Sequence, residues 1–219
     1  IFLYFFFSKF NLQEITTYKF IQYNREYLIN LKESNMILVS LGFVIFTVIW
    51  IFLLGFGSPI ILVSGFIFGK WLGVFLATIS MSTGALLLYI FANYFFKDVI
   101  KNKFLNKFKN LESKFKKNEF IFFLIYRFVG GIPFQVANLL PVLFNVKIKN
   151  YFFGSFLGLI PQCFIMASLG SGIEKIIKNN DSVPSIKTLI LSSEIYLPIL
   201  AFMVLIVITL ILKKIFYNE

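Results

Sequence analysis

Long apolar runs separated by short polar stretches dominate this chain. Between Met36 and Phe96 the only charge is Lys70; from Asn150 to Ile173 there is none; from Thr188 to Leu212 there is only Glu194. Each run reaches about 20 residues or more, the length at which a helix crosses the hydrocarbon core of a bilayer. Residues 8–35 mix Lys, Glu, Tyr and Asn and read as a surface segment. Residues 36–57 are long enough to span. Residues 58–69, SPIILVSGFIFG, are apolar but short and open on Ser58-Pro59, so they enter and return without spanning. Residues 71–96 make a full span.

The run from Phe120 to Val146, FIFFLIYRFVGGIPFQVANLLPVLFNV, behaves differently. It carries Gly130, Gly131, Pro133 and Pro141, which interrupt helix, and a single charge, Arg127. Proline lacks an amide hydrogen and collides with the preceding turn, and broken backbone at membrane depth is tolerated only inside protein or along a wet cavity. The run therefore reads as a re-entrant hairpin. Charge parity agrees weakly. If it returns to its starting side, Lys147, Lys149, Lys213 and Lys214 join the basic segment before it, against Lys175, Lys178 and Lys187 opposite, as the positive-inside bias favours. Each half of the chain then holds a short broken segment followed by a Gly-bearing span, and the two segments open to opposite sides. That is the sequence pointer to an inverted repeat with a midplane site. The expected fold is an all-α integral membrane protein: a surface segment with the remnant of an earlier membrane helix over 1–35, a membrane domain over 36–177, and an external loop with a final transmembrane helix over 178–219.

Composition narrows the function. The chain is 58% hydrophobic, with a net charge of +11. The charge does not imply nucleic acid, because the lysines lie between apolar runs. Eight of them fall between Lys97 and Lys117, where Phe104, Phe108, Leu111 and Phe115 keep helical spacing. That pattern predicts a basic amphipathic helix on an anionic leaflet. The single cysteine, Cys163, precludes an internal disulfide. The first residue is Ile rather than Met, and residues 1–7 read as the tail of an earlier helix. With no histidine and no pair of acids in the membrane segments, hydrolase, zinc and aspartyl-protease chemistries have no players, and no catalytic residue, metal or cofactor is expected.

Arg127 lies eight residues past Glu119, roughly 12 Å along a helix and near the midplane of a core about 30 Å thick. A guanidinium there costs roughly 2.5–3.5 kcal/mol on insertion scales, which points to an anionic headgroup contact or to a structural tie. Gln135 and Asn138 flank the break and either line a polar path or satisfy freed backbone groups. Gly65, Gly69 and Gly73 form GxxxGxxxG, whose usual meaning is close helix packing; Gly154 and Gly158 repeat it. Pro161 interrupts the next span beside Gln162, a candidate buried hydrogen-bond partner, and Lys70 beside Trp71 reads as an interfacial anchor.

The stretches SPIILVSGFIFGKWLGVFLATISMSTGALLLY and YRFVGGIPFQVANLLPVLFNVKIKNYFFGSFLGLIPQ resemble the two signatures of the SNARE-associated Golgi protein, or VTT-domain, family, which includes the bacterial DedA proteins. The resemblance covers about residues 36–177 and is nearest to the branch with the yeast Golgi protein and its bacterial relatives. It implies opposed re-entrant hairpins and lipid translocation: bacterial relatives move undecaprenyl phosphate, and eukaryotic ones scramble phospholipids. Arg127 matches the family's arginine in the second hairpin. Pro133 stands where the DedA branch has another arginine, residues 58–69 lack its carboxylate, and Asn93 replaces a common basic residue. The resemblance thus implies a non-enzymatic lipid transporter or scramblase of the bacterial plasma membrane; membrane lipids are the expected partners, with a homo-oligomer as a further expectation. The alternative is a membrane scaffold or assembly factor with a structural Arg127.

Overall fold

The computed structural model describes residues 18–102, 119–129, 133–179 and 191–217. Expectations for residues 1–7, for Gly130 and Gly131, and for most of the basic helix between Lys97 and Lys117 lie outside these. Every named element is an α-helix: α1 (Tyr18–Ser34), α2 (Met36–Phe52), α3 (Gly57–Phe95), α4 (Glu119–Val129), α5 (Phe134–Leu139), α6 (Pro141–Phe144), α7 (Ile148–Asn179) and α8 (Ser193–Tyr217).

The α3 helix is two helices. Gly69 sits at φ +76, ψ 175, a conformation that side chains rarely adopt, and the chain reverses there. A β-carbon on Gly73 would meet the Ser64 carbonyl at 2.7 Å, and one on Gly57 would meet the Met81 methyl at 2.6 Å. Residues 57–68 therefore run antiparallel to the helix that follows. That second helix, 70–95, is about 39 Å long at 1.5 Å per residue and is the true span. On its other flank α2 runs parallel to it: a β-carbon on Gly84 would lie 2.7 Å from the Val48 carbonyl.

This arrangement corrects the expectation that 36–57 spans and that 58–69 enters and returns alone. Helix α2 and residues 57–68 are the two legs of one hairpin. Their outer ends meet, with the Phe43 and Phe68 rings 5.3 Å apart. The tip is a tight turn in which Leu54 takes φ 65, the Trp50 indole donates to the Phe56 carbonyl at 3.0 Å, and Gly55 lies against that indole, where a β-carbon would overlap it. Before the hairpin the chain bends by 113° between α1 and α2, so that α1 lies across the bundle.

The second hairpin is α4 followed by α5 and α6. Its ends also meet: the Glu119 carboxylate accepts from the Lys147 amide at 2.5 Å and from the Asn150 side chain at 3.0 Å. The segment thus enters and leaves on one face. Lys97, just past the span, donates to Asn145 at 3.0 Å and fixes that face as the one where 70–95 ends. The first hairpin opens on the other face, where Arg25 of α1 donates to Glu174 near the end of α7. The two hairpins are opposed.

Helix α7 crosses both. Alternate glycines set it against each hairpin in turn: β-carbons on Gly65 and Gly170 would overlap the carbonyls of Ala167 and Leu62, and one on Gly154 would press on the Phe123 ring. Small residues let helices approach closely where lipid gives no hydrophobic drive between them. The outward faces stay apolar, with Ile37, Leu38, Trp71 and Tyr94 all more than two-thirds exposed. In water such a surface would aggregate; here it faces acyl chains.

Candidate functional site: a buried arginine where two hairpins meet

Helix α4 brings Arg127 inward along α7. Its seat is Gly158, where a β-carbon would lie 2.6 Å from that of Arg127 and 3.0 Å from the Leu124 carbonyl. Without this close approach the side chain would have no room. Arg127 is 5% exposed, and each guanidinium nitrogen has a protein partner. Nε donates to Ser155 Oγ at 3.0 Å, Nη1 to Asn138 Oδ1 at 2.6 Å, and Nη2 to the Tyr151 hydroxyl at 2.9 Å. The planar group lies between two rings, its Cζ 5.1 Å from the centre of Phe123 and 5.2 Å from that of Tyr151, within cation–π range.

The supporting shell is also bonded. The Tyr151 hydroxyl, having accepted from Arg127, donates to the Asn138 carbonyl at 3.0 Å. Tyr126 donates to the Ala137 carbonyl at 3.0 Å, tying α4 to the return leg. Tyr89 of the span stacks on Tyr151 at 4.5 Å and donates to the Val146 carbonyl. One donor of the supporting side chains is left over. A guanidinium only donates, so Asn138 must offer it the oxygen, and its Nδ2 then has no partner although it is buried.

Beside Arg127 lies a cavity of about 330 Å³. Gly57 and Ser58 at the first tip wall one side, and Pro133 and Gln135 at the second tip the other; Gln162 of α7 closes an edge. The site therefore stands where the opposed tips face each other. A guanidinium has five N–H groups, and the bonds above use one on each nitrogen. Among the described residues, one N–H on Nη1 and one on Nη2 have no protein partner and can serve a ligand. Such a pair, with an orphan amide nearby, can hold an oxyanion through charge-assisted bonds.

Of the residues singled out in sequence, Arg127, Gln135 and Pro133 line this cavity, and Asn138 is bonded to Arg127 behind it. Pro133 caps α5 and Pro161 lies inside α7, one position from the cavity. Pro59 sits exposed in the first turn of α3, and Gly65 and Gly73 serve packing. Two expectations are corrected. Gly69 makes no close contact, since nothing lies within 4 Å of its β-position; it is the reversal point. Gln162 is exposed rather than buried, and it lies at the cavity edge. Among the described residues, the bonds of Arg127 run to the side chains of Ser155, Asn138 and Tyr151. Sequence reasoning missed Tyr151, Ser155 and Tyr89. The signal available was a hydroxyl pair four residues apart in YFFGSFLG, on the helical face that carries Gly154 and Gly158. No group of acidic, His or Cys side chains fit for a metal occurs among the described residues.

The sequence profile of the VTT domain matches residues 55–172, more than half of the chain and a stretch that begins in the first tip and holds the second tip and the whole arginine cluster. The chain is 25% identical over 152 residues to a transmembrane protein 41 homolog of Caenorhabditis elegans, covering 66% of this chain and 61% of that protein. A second transmembrane protein 41 homolog, from Dictyostelium discoideum, is 26% identical over 143 residues, covering 62% of this chain and 43% of its own length. The uncharacterized protein YqeD of Bacillus subtilis (strain 168) is 29% identical over 110 residues, covering 49% of this chain and 53% of its own. The match thus takes in less than two-thirds of each relative's length. No solved structure matches. With its apolar spans, opposed hairpins and matched domain, the chain is an integral membrane protein of the VTT-domain family.

Proposed function

We propose that this protein carries lipids with a phosphate-bearing headgroup across the bilayer, with the headgroup passing the cavity between the hairpin tips. One observation carries the reading: a nearly buried arginine lines the cavity between the hairpin tips and, among the described residues, leaves two N–H groups without a protein partner, beside an unpaired buried amide. Holding a charge at this depth is costly, and a transported oxyanion would offset that cost only while it is bound. Gln135, Ser58 and Gln162 add polar groups along the route. No covalent step is needed, so the reading is of a transporter and not an enzyme. The Bacillus relative favours a bacterial plasma membrane as its home.

The test is reconstitution in vesicles with fluorescent phospholipid or polyprenyl phosphate, followed by an impermeant quencher. Flux above empty vesicles that falls in Arg127→Ala supports the proposal. A second reading has its own support: the three protein bonds made by Arg127 could serve only to hold the second hairpin against α7. A scaffold of that kind would show no flux in any variant.

A further inference from the structure

A second cavity, of about 390 Å³, lies between the later part of α7 and the start of α8, beside Lys70. Lys70, one residue past the Gly69 reversal, and Lys175 of α7 both line it. Its inner wall is Phe164 and Leu197, with Ser168 and Glu194 as further polar groups. Lys70 lies 5.0 Å from the Trp71 ring centre and 5.5 Å from that of Phe164, so aromatic faces rather than a carboxylate hold its ammonium. Ser168 Oγ is buried and has no hydrogen-bond partner. Trp71 is 72% exposed and marks the membrane interface at this level.

We infer that this cavity is a binding site for an anionic lipid, taking its phosphate between Lys70 and Lys175 with Ser168 donating, and its first acyl carbons against Phe164 and Leu197. The charges favour a net-negative headgroup: the two ammonium groups outnumber the Glu194 carboxylate, which also hydrogen-bonds Ser193. An apolar wall beneath two interfacial cations suits an amphiphile rather than a soluble anion. The site stands apart from Arg127, so it does not depend on the transport reading.

The experiment is native mass spectrometry of the detergent-purified chain, titrated with phosphatidylglycerol, phosphatidylcholine or inorganic phosphate. Wild type should retain one phosphatidylglycerol about tenfold more tightly than phosphatidylcholine, and Lys70→Gln with Lys175→Gln should abolish that preference. Arg127→Ala should keep it, which separates this site from the central one. Melting temperatures on the same samples show that the variants are folded. Equal retention of both lipids by wild type, or an unchanged preference in the double variant, overturns the site. Displacement of the lipid by millimolar inorganic phosphate overturns the lipid assignment and leaves a free-anion site.

Discussion

The two hairpins solve the same geometric problem with different chemistry. The first reverses at a bare turn, held by one indole–carbonyl bond and by glycines, and carries no charge on either leg. The second reverses beside a guanidinium with three side-chain partners and two flanking rings. The first is therefore a shaped wall whose accuracy comes from backbone contact. The second is a polar cluster whose shape depends on its charge. An inverted repeat makes the scaffold symmetric, but here it places the chemistry on one side only.

The sharpest break of this comparison is topological, and its outcome is all-or-none. If the hairpins are opposed, single cysteines at Lys101 and Lys149, in a Cys163→Ser background, react with an impermeant thiol reagent from the same side. One at Lys178 reacts from the other. The charge pattern puts the first two in the cytoplasm, so in intact cells they should stay unlabelled. Opposite labelling of Lys101 and Lys149 would mean that the second segment spans, and the pairing of the two tips would be lost.

The next effect separates the frames. Gly65 lies against the Ala167 backbone, which cannot move aside as a side chain can, whereas Gly42 has nothing within 4 Å of its β-position. Gly65→Leu should cost about 3 kcal/mol or more, at the upper end of overpacking, while Gly42→Leu changes little. The measurement is the yield and melting temperature of purified protein. Equal behaviour of the two would deny the first hairpin its backbone seat.

The arginine tests the second hairpin. Arg127→Ala removes the two free N–H groups and leaves Asn138 and Ser155 without their buried donor. Transport per folded molecule should fall about ten- to a hundredfold, the equivalent of a lost charge-assisted bond. Lys keeps the charge without the planar fork, so Arg127→Lys should retain part of the activity. Normal specific transport in Arg127→Ala, with only a lowered melting temperature, would make the arginine a structural tie.

What could be read in advance follows the same division. The second hairpin was legible because Gly, Pro and Arg in an apolar run are each costly at membrane depth, so their coincidence in residues 120–146 has few explanations. The first was half legible. Its leg 36–52 is uniformly apolar and of near-spanning length, and nothing in composition separates such a leg from a span; the difference lies in a turn formed by Leu54 and Gly55. Gly69 reads as a packing residue because spacing reports a shared helical face, not a backbone angle. Tyr151 and Ser155 escaped because partners of an arginine 24 and 28 residues away become neighbours only through the hairpin itself.

The last test is a change of sign between the hairpins, with its smallest effect on the first. Thr47, on the first leg, is fully buried and its hydroxyl has no hydrogen-bond partner. A hydroxyl in that state costs desolvation without return. Valine has nearly the same shape, so Thr47→Val should stabilise the protein by about 1 kcal/mol. Asn138 is equally buried, but its oxygen is the acceptor for Arg127 Nη1. Asn138→Leu, which fills similar space, should cost about 3 kcal/mol because it strands a buried charge. Chemical denaturation in detergent reads both. The contrast rests on the first hairpin being held by backbone contact and one indole–carbonyl bond, with no polar cluster in its core among the described residues. A destabilised Thr47→Val would show that its hydroxyl is engaged in the membrane, by water or by a lipid, and that the first leg too carries polar work.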